Sequence, residues 1–507
     1  MVSQIAEGFL ALTDPLTFLY LLGGFMMGLF FGAIPGLTAT LAIALLLPFT
    51  FSMEVSNALV MVAGIYMAGI YAGSITGITL NIPGAPSGAI STLDGHALMR
   101  RGEGPQALGV SALSSAVGGV VGVIILIALA QPVSQLALMF RTPDKFSLVL
   151  LAVVTVTIVS QGSLIKAMVA MAVGLMISTI GMDPMLPVGR FDFGSYHLIE
   201  GVGMLPAVIG LFAVCEIIAQ SAISSRVGQA EQIASAGKPR RTEFLPRWDR
   251  IREIGLFRII KSSVIGVVIG MLPGGGASMA SFIAYAEAKR SSKKPEEFGN
   301  GSYEGLAASE AANNAMCGGA VIPLLTMGIP GDAVTAIIFG VLLIHGLVPG
   351  PDLLGDNLAV VAPMFAALFI ASILIFVSVF AFGPIYLRLS RINRGFLYAF
   401  IGMISLVGVF ASSFSGFQMW VALVIGVLAF FMRQLGYPVV PALMGIILGP
   451  YLEEFLRRSL IVSEGNPLIF LTSPASVILL LLTIGFVWML RIRPMMVRAK
   501  QKTAAGV

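Results

Sequence analysis

Apolar runs long enough to cross a bilayer follow one another along most of this sequence. Two examples are Leu16–Ile34 and Ala58–Leu80, and a bilayer-spanning helix needs about 20 predominantly apolar residues. Charged residues make up only 11% of the chain, whereas soluble domains carry about 25%. The sequence therefore excludes a soluble globular protein. It predicts an all-α polytopic membrane protein, embedded in the lipid bilayer with about 10–12 transmembrane helices.

Cysteine and histidine usage argues against metal, haem and disulfide chemistry. The two cysteines, Cys215 and Cys317, both lie in apolar stretches, and the three histidines are scattered along the chain. We therefore expect no cofactor. We attribute the net charge of +5 to cytoplasmic loops of a membrane protein, so we expect no nucleic-acid partner.

Proline–glycine pairs interrupt the apolar runs, and their motifs recur in the same order in both halves. Gly32-Ala-Ile-Pro-Gly36 matches Gly270-Met-Leu-Pro-Gly274, and Thr79-Leu-Asn-Ile-Pro-Gly84 matches Thr326-Met-Gly-Ile-Pro-Gly331. Proline and glycine interrupt helices and free backbone groups. In hydrocarbon this is tolerated only where the backbone is buried in protein or lines a cavity. We predict two repeats with re-entrant or Pro-Gly-broken helices, with random helix kinks as the alternative.

A polar, basic stretch divides the two predicted repeats and suggests their orientation. We assign residues 1–220 to an N-terminal repeat, 221–254 to a linker, 255–490 to a C-terminal repeat and 491–507 to a tail. Lys and Arg concentrate on the cytoplasmic side of membrane proteins. The hairpin at 16–51 has flanks without Lys or Arg, whereas the hairpin at 255–288 has basic flanks. We therefore predict inverted topology, with the linker and the C-terminal tail in the cytoplasm.

The predicted breaks indicate how an anionic solute would be held. Inverted repeats with discontinuous helices are typical of secondary transporters. A half-helix that starts after a break exposes unpaired N–H groups and the positive end of its dipole, which suits a carboxylate. Hydroxyl groups close to the two starts add hydrogen-bond donors. The predicted substrate-binding residues are Pro35, Gly36, Thr38, Thr40, Pro273, Gly274, Gly275, Gly276 and Ser278.

Oxygen-bearing residues near the breaks suggest a site for Na⁺ or H⁺. Half-helices that end before a break expose carbonyl oxygens, and ionisable groups at membrane depth are usually functional. The predicted cation-binding residues are Asn81, Gly84, Glu310, Asn313, Asn314, Thr326, Gly331 and Asp332. Two alternatives stay open. Glu310 and Asp332 could cap helices or pair with a lysine, and the two adjacent asparagines could link helices by hydrogen bonds. Asp94, which precedes Gly95, is expected in a turn.

Several longer motifs carry a family resemblance. They are Gly270-Met-Leu-Pro-Gly-Gly-Gly276, Phe298-Gly-Asn-Gly-Ser-Tyr-Glu-Gly305, Glu310-Ala-Ala-Asn-Asn-Ala315, Ile329-Pro-Gly331, Gly189-Arg-Phe-Asp-Phe-Gly194 and Asn81-Ile-Pro-Gly84. Together they resemble the large membrane subunit of tripartite tricarboxylate transporters, the TctA family, over roughly residues 20–470. One departure is Ser309, where many relatives have proline.

The resemblance implies a multi-pass protein of the bacterial inner membrane that imports citrate-like tricarboxylates or related carboxylates. It implies two partners, a small TctB-like membrane subunit and a periplasmic TctC-like solute-binding protein. Coupling would be to Na⁺ or H⁺ rather than ATP, and the sequence contains no Gly-x-x-x-x-Gly-Lys-Ser/Thr phosphate loop. Inverted repeats favour alternating access, with one substructure moving against the rest as in an elevator.

Two other classes of function are kept as alternatives. An anion channel would share the broken helices but would not accumulate its solute against a gradient. An intramembrane enzyme would need a nucleophile with its base, or a metal constellation, and the scattered Ser, His and Cys residues give no sign of either.

Overall fold

The computed structural model describes residues 2–34, 37–160, 162–223, 240–387 and 415–488, with a few positions between 403 and 410. Nearly all of this part of the chain is helical. Within it, one short antiparallel pair, β1 (Gly181–Met182) and β2 (Gly189–Arg190), is the only strand pairing. Seven of the described helices are long and apolar enough to span a membrane. The predicted all-α polytopic membrane protein is confirmed.

Helices of the first half run from the N-terminus to residue 223. They are α1 (Val2–Ala11), α2 (Pro15–Gly32), α3 (Ala39–Thr50), α4 (Val55–Leu80), α5 (Gly88–Arg100), α6 (Gly104–Leu138), α7 (Thr142–Val159), α8 (Leu164–Ile177), α9 (Met204–Val208) and α10 (Cys215–Ile223). A π-helical segment, Ile209–Val214, joins α9 to α10. Single 3₁₀ turns, such as Tyr196–Leu198, occur in the connecting loops.

Helices of the second half begin at Trp248. They are α11 (Trp248–Ile254), α12 (Leu256–Gly270), α13 (Gly276–Ser291), α14 (Tyr303–Met327), α15 (Ala333–Ile344), α16 (Leu358–Tyr386), α17 (Gly416–Gln434), α18 (Val439–Val462) and α19 (Pro474–Val487). Short breaks separate α12 from α13 and α14 from α15, as they separate α2 from α3 and α4 from α5. The order helix, break, helix therefore occurs twice in each half, where the Pro-Gly motifs predicted it.

Close glycine contacts recur at equivalent positions of the two halves. A Cβ atom on Gly28 of α2 would lie 2.5 Å from the carbonyl oxygen of Ile65 on α4. A Cβ atom on Gly266 of α12 would lie 2.4 Å from the carbonyl oxygen of Ala312 on α14. Aligning the Ile-Pro-Gly motifs at Gly84 and Gly331 also aligns Ile65 with Ala312. The same backbone-to-backbone packing is thus built in both halves, since only residues without a side chain permit it.

The equivalent helices α4 and α14 cross in opposite directions at the centre of the protein. Asn314 Nδ2 donates to the carbonyl oxygen of Met67 at 3.0 Å, and Asn313 Nδ2 donates to that of Ile70 at 3.3 Å. Residue numbers therefore rise along one helix as they fall along the other, as expected of inverted repeats.

Several predictions concern residues that lie outside the described part. These are Pro35 and Gly36, residues 224–239 of the 221–254 linker, and the 491–507 tail. The boundaries of the four segments and the membrane side of each loop stay predictions.

The described helices form two groups that meet across one interface. A core group consists of α1–α6 and α11–α16, and an outer group consists of α7–α10 and α17–α19. Within the outer group α18 packs on α7 and α8, and α17 packs on the π-helical segment. Contacts between the groups run mainly from α3 to the π-helical segment and from α15 to α18. The two shortest helices that follow breaks therefore carry much of the interface.

An ion-pair cluster fastens the β1–β2 hairpin to α18. Arg457 Nη1 lies 2.6 Å from Asp183 Oδ2, and Arg190 Nη1 lies 2.7 Å from Glu453 Oε1. The hydrogen bond from Arg457 and the backbone N–H groups of Met185 and Leu186 lower the pKa of Asp183 to about 2. Burial acts in the opposite direction but is outweighed.

The Asp183 cluster should make stability depend on pH at the acid end. Because the folded-state pKa of Asp183 lies below its unfolded value of 3.8, its contribution is complete above about pH 4 and is lost as pH falls towards 2. Melting temperatures of the purified protein from pH 5 to pH 2 would measure this loss. The Asp183→Asn variant should lack that part of the pH dependence. Asp192→Asn is the control, because Asp192 forms no ion pair within the described ranges.

Candidate functional site

A cavity of about 650 Å³ lies between the core group and the outer group. The starts of four short helices, α3, α5, α13 and α15, line it from the core side. The end of α7, the π-helical segment and the start of α18 line it from the other side. Each half of the chain therefore contributes two helix N-termini to one shared space.

The start of α3 places two of the predicted substrate residues on the cavity wall. Thr38 is the N-cap of this helix, and its hydroxyl oxygen accepts the N–H of Leu41 at 3.2 Å. The side chain of Thr40, only 8% exposed, lines the cavity two residues further on. The Thr38 hydroxyl is thus already engaged in capping, which leaves Thr40 as the freer hydroxyl at this start.

The start of α13, like that of α5, has no side-chain cap among the described residues. Gly274 and Gly276 adopt φ of +78° and +55°, which glycine tolerates best. The N–H of Gly274 donates to the carbonyl oxygen of Gly331 at 2.8 Å and so ties the two breaks together. In the described part of the chain no side chain caps this helix. Its first-turn N–H groups, which have no intrahelical acceptor, face the cavity between Gly274 and Ser278.

Two of the four helix starts were not predicted as anion sites. The start of α5 lines the cavity with Ala85, Pro86 and Ser87, and the start of α15 lines it with Asp332 and Val334. Both follow an Ile-Pro-Gly tripeptide, so the break motif itself was the available signal. Of the predicted substrate residues, Gly274, Gly275, Gly276 and Ser278 also line the cavity, whereas Pro273 lies in the turn behind it.

Side-chain charge in the cavity is negative. Asp332 lines it as the N-cap of α15, where its Oδ1 accepts the N–H of Thr335 at 2.8 Å and its Oδ2 accepts the hydroxyl of Tyr66 at 3.0 Å. Capping, one of the two alternatives for Asp332, is therefore present. Glu216 also lines the cavity and pairs with Arg433. Among the described lining residues there is no Lys or Arg, so positive potential comes only from the helix starts.

The predicted cation-binding residues are not brought into one cluster. Asn81 ends α4 in the left-handed conformation and is exposed, and the Thr326 hydroxyl donates to the carbonyl oxygen of Ile322. Gly84 and Gly331 lie in the breaks, and Asp332 alone of the set lines the cavity. The remaining residues lie fully buried in the middle of α14: Glu310, Asn313 and Asn314.

Hydrogen bonding of the two asparagines matches the helix-linking alternative. Both side-chain amides donate to carbonyl oxygens of α4. Their Oδ1 atoms are buried without a hydrogen-bond partner among the residues the structure describes. The asparagines therefore join the two central helices through their N–H groups and keep one oxygen each available.

The chain is similar to known proteins over most of its length. The family model described as "Tripartite tricarboxylate transporter TctA family" matches residues 18–444. An uncharacterised 52.8 kDa protein of the TAR-I ttuC' 3' region of Agrobacterium vitis is 34% identical over 481 residues, covering 95% of this chain and 94% of that protein. A protein of the TAR-II ttuC' 3' region of the same organism is 36% identical over 215 residues, covering 42% of this chain and 89% of that protein. No solved structure matches.

Proposed function

The chain belongs to the tripartite tricarboxylate transporter TctA family, and we propose that it is the large membrane subunit that imports carboxylates by cation symport. Membership makes it a membrane component of tricarboxylate transport. Import of citrate-like tricarboxylates or related carboxylates into a bacterial cell across the inner membrane, with a TctB-like small subunit and a TctC-like binding protein, is the fuller proposal.

The observation that carries this proposal is the convergence of four helix starts on one cavity. Each start directs the positive end of a helix dipole at the cavity, an arrangement suited to anions. The starts of α5 and α13 have no side-chain cap among the described residues, whereas Thr38 and Asp332 cap those of α3 and α15. A volume of about 650 Å³ falls within the range of small-molecule sites, roughly 300–1,000 Å³. Because both halves supply two starts each, the cavity can hold several carboxylates of one substrate at once.

Charge balance in the cavity supports cation coupling. A tricarboxylate would enter a space lined by the carboxylate of Asp332, whereas the second described carboxylate of the lining, Glu216, is already paired with Arg433. Moving uncompensated charge into a low-dielectric region is costly. Cations that enter with the substrate would offset this charge, and they would also make uptake depend on an ion gradient.

The position of the cavity supports alternating access. It lies at the interface of the core group and the outer group rather than inside either one. Sliding of one group against the other would carry the four helix starts, which all belong to the core group, from one membrane face to the other without changing their arrangement. We propose an elevator-like movement of the core group on this basis.

A charge-matched pair of variants tests the cavity. Ser278→Glu would place a carboxylate at the start of α13, where it competes with the substrate for the same N–H groups, whereas Ser278→Gln adds similar bulk without charge. Radiolabelled citrate uptake is measured in proteoliposomes that hold the chain, its small subunit and a loaded binding protein. We expect uptake by Ser278→Glu to be at least about 10-fold slower than by Ser278→Gln, since 1.4 kcal/mol corresponds to tenfold.

The same proteoliposomes separate the alternatives. Accumulation above equilibrium under an imposed Na⁺ or H⁺ gradient supports symport and identifies the ion. Citrate that equilibrates without accumulating would favour a channel. Equal uptake by the two Ser278 variants would contradict anion binding at the start of α13.

A further inference from the structure

A second polar site lies inside the core group, away from the cavity. Glu310 is fully buried at the middle of α14, and within the described residues no Lys or Arg pairs with it. Its Oε2 accepts the hydroxyl of Ser115 on α6 at 2.9 Å. Its Oε1 has no hydrogen-bond partner in the described part of the chain. A buried carboxylate requires a compensating charge or a proton.

Serine hydroxyls from three other helices surround this carboxyl group. Ser74 of α4, Ser91 of α5 and Ser111 of α6 approach it together with Ser115. Ser91 is also 3.2 Å from Ser309 Oγ. The hydroxyl oxygens of Ser74 and Ser111 are buried and make no hydrogen bond of standard geometry within the described ranges. Several oxygen atoms with free lone pairs therefore face one carboxylate.

This serine cluster has no counterpart in the other half of the chain. When the two Ile-Pro-Gly motifs are aligned, the positions of Glu310, Ser74 and Ser91 correspond to Ala63, Val321 and Ile338. The glycine contacts that build the fold are duplicated, as described above, whereas these polar groups are not. The cluster is therefore not needed to pack the repeat, which points to a function.

A line of hydroxyls connects the serine cluster with the cavity. Ser87 lines the cavity at the start of α5, and its hydroxyl is buried without a partner among the described residues. Ser91 follows one helical turn later on the same helix and faces Glu310. An ion that enters the cavity could thus reach the carboxylate along one side of α5.

We propose that Glu310, Ser74, Ser91, Ser111 and Ser115 form a sodium-binding site separate from the carboxylate cavity. Hard cations prefer oxygen ligands, and one carboxylate neutralises one monovalent ion, whereas a divalent ion would leave excess charge in a buried position. A proton would satisfy Oε1 but would not engage the remaining hydroxyl oxygens together. A role of this ion in driving uptake rests on the transport function proposed above. Binding of the ion does not depend on that function.

Sodium-dependent thermal stability tests the site without any carboxylate present. The full-length purified chain in lipid nanodiscs is unfolded in NaCl or in choline chloride of equal concentration. A ligand that binds only the folded state raises the melting temperature, so we expect a Na⁺-dependent rise for the wild type. Glu310→Gln should lose this rise. Ser111→Ala should require about 10-fold more Na⁺, the effect of losing about 1.4 kcal/mol of ligand binding.

Ser114→Ala is the matched control. Ser114 lies on the same helix as Ser111, and its hydroxyl is likewise buried without a partner within the described ranges, but it is not among the hydroxyls around Glu310. Its Na⁺ response should equal that of the wild type. If Glu310→Gln does not fold, Ser74→Ala and Ser111→Ala decide the result.

Three outcomes would overturn the proposal. A wild-type protein indifferent to Na⁺, or Na⁺ responses that are equal in the wild type and the Ser74 and Ser111 variants, would exclude the site. If acid rather than Na⁺ stabilised the wild type, and Glu310→Gln abolished that stabilisation, the site would bind a proton instead of sodium. Ser278→Glu should keep the Na⁺ response, so failure of this proposal and failure of the carboxylate cavity are distinguishable.

Discussion

Gly331→Ala should reduce carboxylate uptake by roughly 100-fold, the size of effect associated with moving binding groups by about 1 Å. A Cβ atom at this position would lie 2.6 Å from the carbonyl oxygen of Gly270 and 2.8 Å from the Cα atom of Ala320. All of these atoms belong to backbone, so no side-chain rotation relieves the contact. The break would have to open, and the starts of α13 and α15 would move apart in the cavity.

Two further glycines provide the comparison for Gly331. Gly84→Ala should have a similar effect, because its Cβ atom would lie 2.5 Å from the carbonyl oxygen of Gly32, which belongs to the same first half of the chain. Gly23→Ala on α2 should transport normally, since no atom lies within 4 Å of that position. Uptake is measured in proteoliposomes and normalised to membrane abundance. Near-normal uptake by Gly331→Ala would show that the two breaks do not touch as described.

Asp94→Ala should destabilise the protein by at least about 2 kcal/mol, because it would leave two buried backbone N–H groups and one part-buried N–H group without an acceptor. Oδ1 of Asp94, on α5, accepts the N–H groups of Gly299, Gly301 and Ser302 at 2.8, 2.9 and 2.8 Å. Ser302 in turn caps α14 through the N–H of Gly305. One carboxylate therefore holds a helix of the first half against the loop that begins the central helix of the second.

Denaturation of the purified variants measures this effect. Asp94→Asn keeps an acceptor oxygen of the same reach and should lose less stability than Asp94→Ala. Asp356→Ala is a control at an exposed aspartate and should unfold like the wild type. If Asp94→Ala were as stable as Asp94→Asn, the three hydrogen bonds to Oδ1 would not hold the two halves together.

The helices and their breaks were predictable because their causes are local. A run such as Leu16–Ile34 must become a helix in hydrocarbon, and the structure has Pro15–Gly32. Proline and glycine interrupt helices wherever they occur in such runs, so α3 and α13 begin where the motifs indicated. Recurrence of those motifs also indicated that the two halves share one plan.

Long-range packing explains what the sequence did not reveal. Asp94 was expected in a turn, but it lies within α5. Its hydrogen-bond partners are some 200 residues away, so no local sequence pattern indicated them. The serines around Glu310 likewise come from three helices, so no local pattern indicated that they lie together. Asn81 and Glu310 were predicted to share a cation site because of their residue types, but they lie apart. The chemistry of side chains does not show which sides of two helices face each other.

The two repeats share their glycine-mediated backbone packing but differ in the polar side chains that they place at the cavity. Close backbone contacts, such as Gly28 with Ile65 and Gly266 with Ala312, give both repeats the same geometry. The side chains at the cavity differ, since Asp332 lines it where the aligned position of the first repeat has Ala85. A repeated scaffold of this kind allows one copy to carry a charged group while the backbone geometry of both copies stays the same. Ionic preference could diverge among descendants of such a scaffold through single side-chain replacements, without any change to the path of the chain.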